Sequence, residues 1–342
     1  MSDPYPKLTV VVPVRNEETY IARTLEFLLN QDYPREKVEI LVGVAASKDR
    51  TLEVVEKIAR CDDRVKPFFN PLGLSSSART LGAKMATGEI VIYVDGHVWI
   101  DNDQIFQNTV RLLGERQVSI LSRPQFLDTP ENSLFQSAVS LARKSAVGHG
   151  LDSTIYTSEE SYVDPTSSGA TYRKEVFDRV GYFDTDFDAC EDVEFNYRCS
   201  RAGFKSYLSM KVAVYYYPRA SLKDLYKQMI RYGTGRFRLI RKHRETLSLG
   251  TLVPVLFVTA LPALGLLGIF SRAAACLFAA AVLLYGVVIA GASVVIAVKR
   301  GWRYLLLLPV ILFAIHSGLG IGFLGGAFQT VRAHSSNGRP AQ

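Results

Sequence analysis

The chain has 342 residues, 48% of them hydrophobic and 21% charged, with a formal net charge of +7; it is too apolar to stay disordered and long enough for one large or two modest domains. All 33 acidic residues lie at or before Glu245 together with 34 of the 40 basic ones, so the front of the chain is nearly neutral and the excess charge belongs to the last 97 residues. An excess placed there makes no basic patch on a soluble domain, and a nucleic-acid partner is not expected.

Met1–Lys7 has no basic n-region, and the apolar run Leu8–Val14 is far shorter than a signal h-region, so the front half is expected to stay in the cytosol. Leu8–Val14 reads as a strand, and residues 19–29, with Ile21, Leu25 and Leu28 on one face, as the helix after it. Val38–Val44 reads as a second strand, Thr51–Ala59 as a helix capped from Ser47 or Asp49, and Val65–Phe69 as a short strand. Ser75–Met85 then reads as a helix and Glu89–Val94 as a further strand. β-Branched runs alternating with helical patterns predict a mainly parallel sheet covered by helices. Beyond Arg123 the pattern is less regular: a helix over Ser133–Ala146, a loop rich in Gly, Ser, Thr and Asp, and a helix over Glu191–Ala202.

Leu222–Lys242 predicts an amphipathic helix. Lys223, Lys227, Arg231, Arg236, Arg238, Arg241 and Lys242 lie on one side, with Leu225, Met229, Ile230, Phe237 and Ile240 on the other. Such a helix suits an anionic membrane surface, each basic residue contributing about 1 kcal/mol; the alternative is a solvated helix packed on the soluble domain. Leu247–Ser271, Ala273–Val298 and Tyr304–Val331 are 25, 26 and 28 residues without Asp, Glu, Lys or Arg. At about 1.5 Å per residue each can cross a hydrocarbon core of about 30 Å. The positive-inside rule puts Arg231–Arg244 and the Lys299, Arg300, Arg303 loop in the cytosol and Arg272 outside, whereas three full crossings leave Arg332 and Arg339 outside, against the rule. Pro309, Gly318, Gly320, Gly322, Gly325 and Gly326 make the third segment the one expected to kink or re-enter. Cys61, Cys190, Cys199 and Cys276 show no CxxC spacing and read as reduced and mostly structural.

Three groups of residues could carry chemistry. Asp95-Gly96-His97 follows a strand at its carboxyl end, where ligands of open α/β sheets bind, and an Asp and an imidazole two residues apart can reach one divalent ion. The structural alternative is an Asp capping a strand end beside a half-buried His. Glu191-Asp192 opens a helix, where carboxylates satisfy free N–H groups and the helix dipole; in a cleft, one could instead accept a proton from a hydroxyl. Gln228, Arg231 and Tyr232 share one helical neighbourhood in which Arg can grip phosphate and the ring can stack on a sugar, or in which the Tyr sits at a membrane interface. No P-loop, serine-hydrolase elbow or zincin signature occurs.

In order along residues 7–245, these pieces resemble a family 2 glycosyltransferase of GT-A fold. Val11-Val12-Pro13-Val14-Arg15-Asn16-Glu17-Glu18 matches that family's opening strand and loop, and Ser77-Ala78-Arg79-Thr80-Leu81-Gly82 with Ala86-Thr87-Gly88 resembles the helix before its metal strand. Asp95 stands where the first Asp of the DxD motif stands, with His97 in place of the second, and Glu191-Asp192 stands where the ED motif carries the acceptor base. Gly169–Arg173, Val180–Asp184, Tyr197-Arg198, Tyr216–Arg219 and Tyr232–Arg236 are similar to the succinoglycan-biosynthesis type with C-terminal membrane segments, and Gln228–Tyr232 is a QxxRW variant ending in Tyr. Val44-Ala45 replaces the Asp pair that reads the nucleotide base, while Ser47, Asp49 and Thr51 remain.

The resemblance implies a GT-A catalytic domain over residues 1–220, an interfacial segment over 221–245, a membrane region over 246–331 and a tail over 332–342. It implies a multi-pass protein of the cell membrane with its catalytic domain in the cytoplasm. The implied reaction is inverting transfer of a sugar, dependent on Mn2+ or Mg2+, from a nucleotide-sugar to a hydroxyl of a lipid-linked saccharide such as a polyprenyl-diphosphate saccharide. Asp192 would be the base with Glu191 beside it, and Asp95 and His97 would hold the metal. Pro13, Arg15, Glu17, Arg79, Asp95, Gln228 and Arg231 would bind the nucleotide-sugar, a UDP-sugar being the first candidate. The alternatives are a polyprenyl-phosphate sugar synthase, which needs no strong base, and a non-catalytic glycan-binding member.

Overall fold

The structure is a computed structural model that describes residues 4–149, 155–156 and 158–337. The chain divides into two units, one of residues 1–129 and 153–217, the other of residues 130–152 and 218–342.

The first unit is built on β1 (Leu8–Val14), β2 (Val38–Ala45), β3 (Val65–Asn70) and β4 (Ile90–Tyr93), which run parallel, with Leu8 opposite both Val38 and Ile90. β5 (Val98–Trp99), β6 (Ile120–Ser122), β7 (Gln125–Phe126), β8 (Ser161–Val163), β9 (Gly169–Arg173), β10 (Ser206–Leu208) and β11 (Val214–Tyr216) complete its strands. The eight-stranded sheet has the order β3-β2-β1-β4-β9-β6-β10-β8, and β5, β11 and β7 form a small second sheet. The helices are α1 (Ile21–Leu29), α2 (Thr51–Cys61), α3 (Ser75–Met85) and α4 (Ile105–Glu115), followed after the excursion into the second unit by α7 (Lys174–Val180) and α8 (Glu191–Arg201).

Leu8–Val14 is apolar at nearly every position because the sheet is covered on both faces. Val10, Val12, Ile40, Val42 and Ile92 pack with Ile21 and Leu25 of α1, Val55 of α2 and Phe106 of α4. The residues between them, Val11, Leu41, Val91 and Tyr93, pack with Ala83 of α3, Phe177 of α7 and Phe195 of α8. The mainly parallel sheet is therefore present, but β9 runs antiparallel between β4 and β6, and β8 antiparallel at the edge. Among its described residues, the loop expected between residues 146 and 191 thus holds β8, β9 and α7, with the short α6 (Ala146–His149) at its start. Tyr172 disguises β9: its ring is buried and its hydroxyl donates to Gly169 O at 2.7 Å, with Asn196 Oδ1 also at 2.7 Å.

The second unit is helical: α5 (Leu134–Lys144), α6 (Ala146–His149), α9 (Leu222–Lys242), α10 (Leu249–Gly268), α11 (Arg272–Arg300) and α12 (Leu307–Asn337). α5 begins with a reciprocal capping box between Ser133 and Gln136, and the side chains of Ser221, Ser248 and Ser271 cap α9, α10 and α11. α10, α11 and residues 307–329 of α12 are each long and apolar enough to cross a membrane.

Two expectations change here. The third apolar segment is one continuous helix rather than a broken one, and its glycines serve close approach: a Cβ on Gly322 would lie 2.0 Å from Ile230 O, and one on Gly320 2.2 Å from Pro254 O. The apolar side of the amphipathic helix faces α12, with Phe237 edge-on to Phe323 and Thr234 Oγ1 donating to Gly322 O at 2.9 Å. It is thus packed on an apolar helix of its own unit.

Candidate active site

The residues expected to carry chemistry in the first unit gather at the carboxyl ends of β1 and β4 and the starts of α3 and α8. Arg79 of α3 connects them. Its Nη2 donates to Asp95 Oδ1 at 2.8 Å, its Nε donates to Ser75 Oγ at 3.0 Å and lies 3.6 Å from Glu191 Oε1. The guanidinium stacks over Tyr93 at 5.2 Å and Phe183 at 5.8 Å, so it has little room to swing away. Burial opposes its charge, but Asp95, Glu191 and Asp192 outweigh burial and hold Arg79 charged beyond its ordinary value.

The two adjacent carboxylates are not equivalent. Glu191 is buried, and burial followed by the charge of Asp192 pushes its carboxyl up; Arg79, a backbone amide and Ser75 offset this only in part. Asp192 is half-buried, with Oδ1 accepting from Val193 N at 2.8 Å. Cys190, in the left-handed region at φ 63°, turns the chain into α8 so that both carboxylates stand in its first turn.

His97 is half-buried, and its Nδ1 meets Glu17 Oε1 at 2.9 Å. A carboxylate on one ring nitrogen is how a metal-binding imidazole is commonly oriented, with Nε2 the atom that would meet the ion. Among the described residues no group of three or more His, Cys, Asp and Glu could hold an ion alone. One carboxylate and one imidazole fit a Mn2+ or Mg2+ whose other positions are taken by phosphate oxygens and water, as divalent ions at nucleotide phosphates usually are.

The loop after β1 is held by the loop after β2. Asn16 N donates to Ser47 Oγ at 3.1 Å, Glu17 N to Thr51 Oγ1 at 2.7 Å and Glu18 N to Asp49 Oδ2 at 3.1 Å. Asp49 Oδ1 also accepts from Thr51 N at 3.1 Å, while Arg50, the residue preceding α2, makes no side-chain cap. The three polar residues that remain after Val44-Ala45 are thus engaged in shaping the loop. Pro13 lies in β1 opposite Gly43, and Arg15 is exposed, its Nη1 donating to Gly73 O at 3.5 Å. Gln228 and Arg231 belong to α9 of the second unit, where Gln228 Nε2 donates to Tyr232 Oη at 3.2 Å and Arg143 lies 5.9 Å from the Tyr232 ring.

Tyr93, Phe183, Arg123 and Tyr216 escaped the sequence reading as site residues. The first two wall the Arg79 guanidinium, and Arg123 donates to Tyr93 O and to Tyr216 Oη at 3.2 Å beneath the strand end that delivers Asp95. Phe183 and Tyr216 carried a signal, since both lie in stretches similar to the succinoglycan-biosynthesis type; Arg123 carried none. A cavity of about 300 Å³ lined by Lys7, Arg35, Glu39 and Lys66 sits at the opposite, amino ends of β1–β3, where ion pairs such as Arg35 with Asp63 at 2.6 Å line it.

Residues 6–235 match the family described as Glycosyltransferase like family 2. Over 323 residues the chain is 25% identical to a Methanococcus voltae protein, dolichyl N-acetyl-alpha-D-glucosaminyl phosphate 3-beta-D-2,3-diacetamido-2,3-dideoxy-beta-D-glucuronosyltransferase, covering 93% of this chain and 96% of that one. Over 248 residues it is 30% identical to the succinoglycan biosynthesis protein ExoA of Rhizobium meliloti, covering 72% and 74%. Among solved structures, the mannosyltransferase PcManGT of Pyrobaculum calidifontis, in complex with GDP-Man and Mn2+, has a TM-score of 0.61 at 21% identity, covering 96% of this chain and 89% of that one; the likeness is one of fold, GT-A.

Proposed function

Because this chain belongs to the family 2 glycosyltransferases and is itself a glycosyltransferase, we propose that it transfers a sugar, with inversion and a divalent ion, from a nucleotide-sugar to a hydroxyl of a lipid-linked saccharide. The bond from the anomeric carbon to the phosphate oxygen breaks as a bond to the acceptor oxygen forms on the opposite face. The acceptor proton passes to Asp192, and the nucleoside diphosphate leaves. Asp95 and His97 would hold the ion, which supplies positive charge to the departing diphosphate.

The observation that carries this reading is the Arg79 bridge between the Asp95 carboxylate and Glu191, the neighbour of Asp192. It keeps the proposed phosphate end and the proposed base end of one reaction within reach of a single side chain. Glu191, buried and raised, holds the start of α8, while half-buried Asp192 is the one an acceptor can approach. Glu17 orients His97, and Pro13 and Arg15 would line the nucleotide pocket. A UDP-sugar is the first donor to test, with base recognition resting on backbone and loop shape because Val44-Ala45 offers no carboxylate. The lipid-linked acceptor is supported by the dolichyl phosphate in the Methanococcus relative's name, and the succinoglycan relative supports a role in polysaccharide assembly. Apolar helices that can cross a membrane and the Lys299, Arg300, Arg303 loop support a multi-pass protein whose catalytic unit faces the cytoplasm.

Asp192→Asn is expected to lower transfer by about 10² to 10⁴ while calorimetric nucleotide binding persists. A mild effect would take the base role from Asp192 and favour a phosphate acceptor, which needs no strong base.

A further inference from the structure

The three apolar helices of the second unit are not alike. Only 6% of the most apolar stretch of α10 and 17% of that of α11 are buried in the protein, against 50% for α12. Much of the cover on α12 comes from helices that carry charge, and α10 adds to it where Pro254 O would lie 2.2 Å from a Cβ on Gly320 and Phe257 stands edge-on to Phe313. Leu308, Ile311, Leu312 and Ile315 cluster with Ala138, Val139 and Ala142 of α5, whose last turn holds Arg143 and Lys144. Beyond Ile315 the charged partner is α9, with α10 meeting α12 at Gly320. A Cβ on Gly318 would stand 2.7 Å from Met229 Cβ, one on Gly322 2.0 Å from Ile230 O, and one on Gly326 3.0 Å from the Phe237 ring. The contacts advance together along both sequences, so α9 and α12 run parallel, backbone close to backbone.

From Leu308 to Gly326 this cover extends along about 27 Å of helix, nearly the full thickness of a hydrocarbon core. Were that stretch to cross the membrane, α5 and α9 would have to be carried in with it. The outward side of α9 bears Lys223, Lys227, Arg231, Arg236 and Arg241, all exposed. Charges spaced along the whole length of a helix cannot all reach the headgroups from inside the bilayer.

We propose that α12 is not a third membrane crossing but a helix lying at the membrane surface, on the side that carries α5 and α9, and that its partner there is lipid. Its exposed large side chains, Val310, Phe313, Ile321 and Phe328, fall on one stripe of the helix, the width of face that seats at the boundary of headgroups and acyl chains. The basic side of α9 then meets anionic headgroups. The chain crosses twice, through α10 and α11, and Arg332 comes to the same side as Lys299, Arg300 and Arg303, as the positive-inside rule requires.

The test places single cysteines in the full chain with its four native cysteines replaced: Lys223→Cys in α9, Trp302→Cys before α12, and one appended after Gln342. In sealed vesicles of known orientation, a membrane-impermeant maleimide is expected to modify all three from the same face. Modification of position 302 and the appended cysteine from opposite faces, or of both from the face opposite to position 223, overturns the proposal. Should the cysteine-free background fail to fold, green fluorescent protein and alkaline phosphatase fused after Gln342 of the native chain give the same answer: fluorescence without phosphatase activity is expected, and active phosphatase overturns it.

Discussion

Arg79 shows how one side chain can set the properties of several others. Removing it would leave Asp95 and Glu191 without their buried cation, a change that costs about 3–5 kcal/mol when one partner of a buried pair is lost. Even with Arg79 present, burial and Asp192 keep Glu191 above its ordinary value of 4.5. A carboxyl raised in this way binds its proton more tightly folded than unfolded, so its contribution to stability falls as pH rises from that value through the raised one. In Glu191→Gln this part of the pH dependence should vanish. Melting temperatures of the detergent-solubilised chain, measured from pH 4.5 upward, should decline less steeply in the variant than in the parent, and parallel curves would remove Glu191 from the account. Cys199 is the contrasting case: burial pushes its thiol up to about 12, so it packs from α8 into the core as an inert apolar group.

At the scale of elements, the seam between α9 and α12 depends on the absence of side chains at chosen positions. Gly322→Ala would place a methyl group 2.0 Å from the Ile230 carbonyl oxygen and force the helices apart, a cost of about 1–3 kcal/mol. Gly325→Ala adds the same atoms on the same helix where nothing lies within 4 Å, and there the better helix propensity of Ala should gain up to about 1 kcal/mol. Thermal unfolding should therefore shift in opposite directions for the two variants. Equal shifts would mean that the seam does not bear on stability. At Gly318, Gly320, Gly322 and Gly326 glycine is a packing residue, which is why composition alone suggested a break in a helix that runs on without one.

For the whole molecule, membrane and ligand make separate demands. Arg231, near the middle of α9, would cost about 2.5–3.5 kcal/mol at the bilayer centre, and the exposed basic residues on either side of it, Lys227 and Arg236, would add to that cost; this charge on the cover of α12 decides the count of crossings. Ligand binding acts on the folded state as a whole. A UDP-sugar with Mn2+, at a hundredfold excess over its dissociation constant, should stabilise the chain by about 2.7 kcal/mol. Chelation should remove most of that shift, and Asp95→Ala should abolish its metal-dependent part. An Asp95→Ala chain that keeps the full Mn2+ response would transfer the metal site elsewhere.

The sequence by itself determined what depends on neighbours in the chain: the β-branched run of Leu8–Val14, the helix face of Ile21, Leu25 and Leu28, the charge-free segments, and the order of motifs that marks the family. These follow from periodicity and local propensity, which need no partner to be read. Tertiary structure alone decided which residues meet across long separations: Arg79 with Asp95 and Glu191, Glu17 with His97, and Arg123 beneath the end of β4. It also inserted β9 antiparallel into the sheet and laid the glycines of α12 against α9. An ion pair or a helix seam is fixed by distances between atoms far apart in the chain, and no pattern of neighbouring residues encodes those distances.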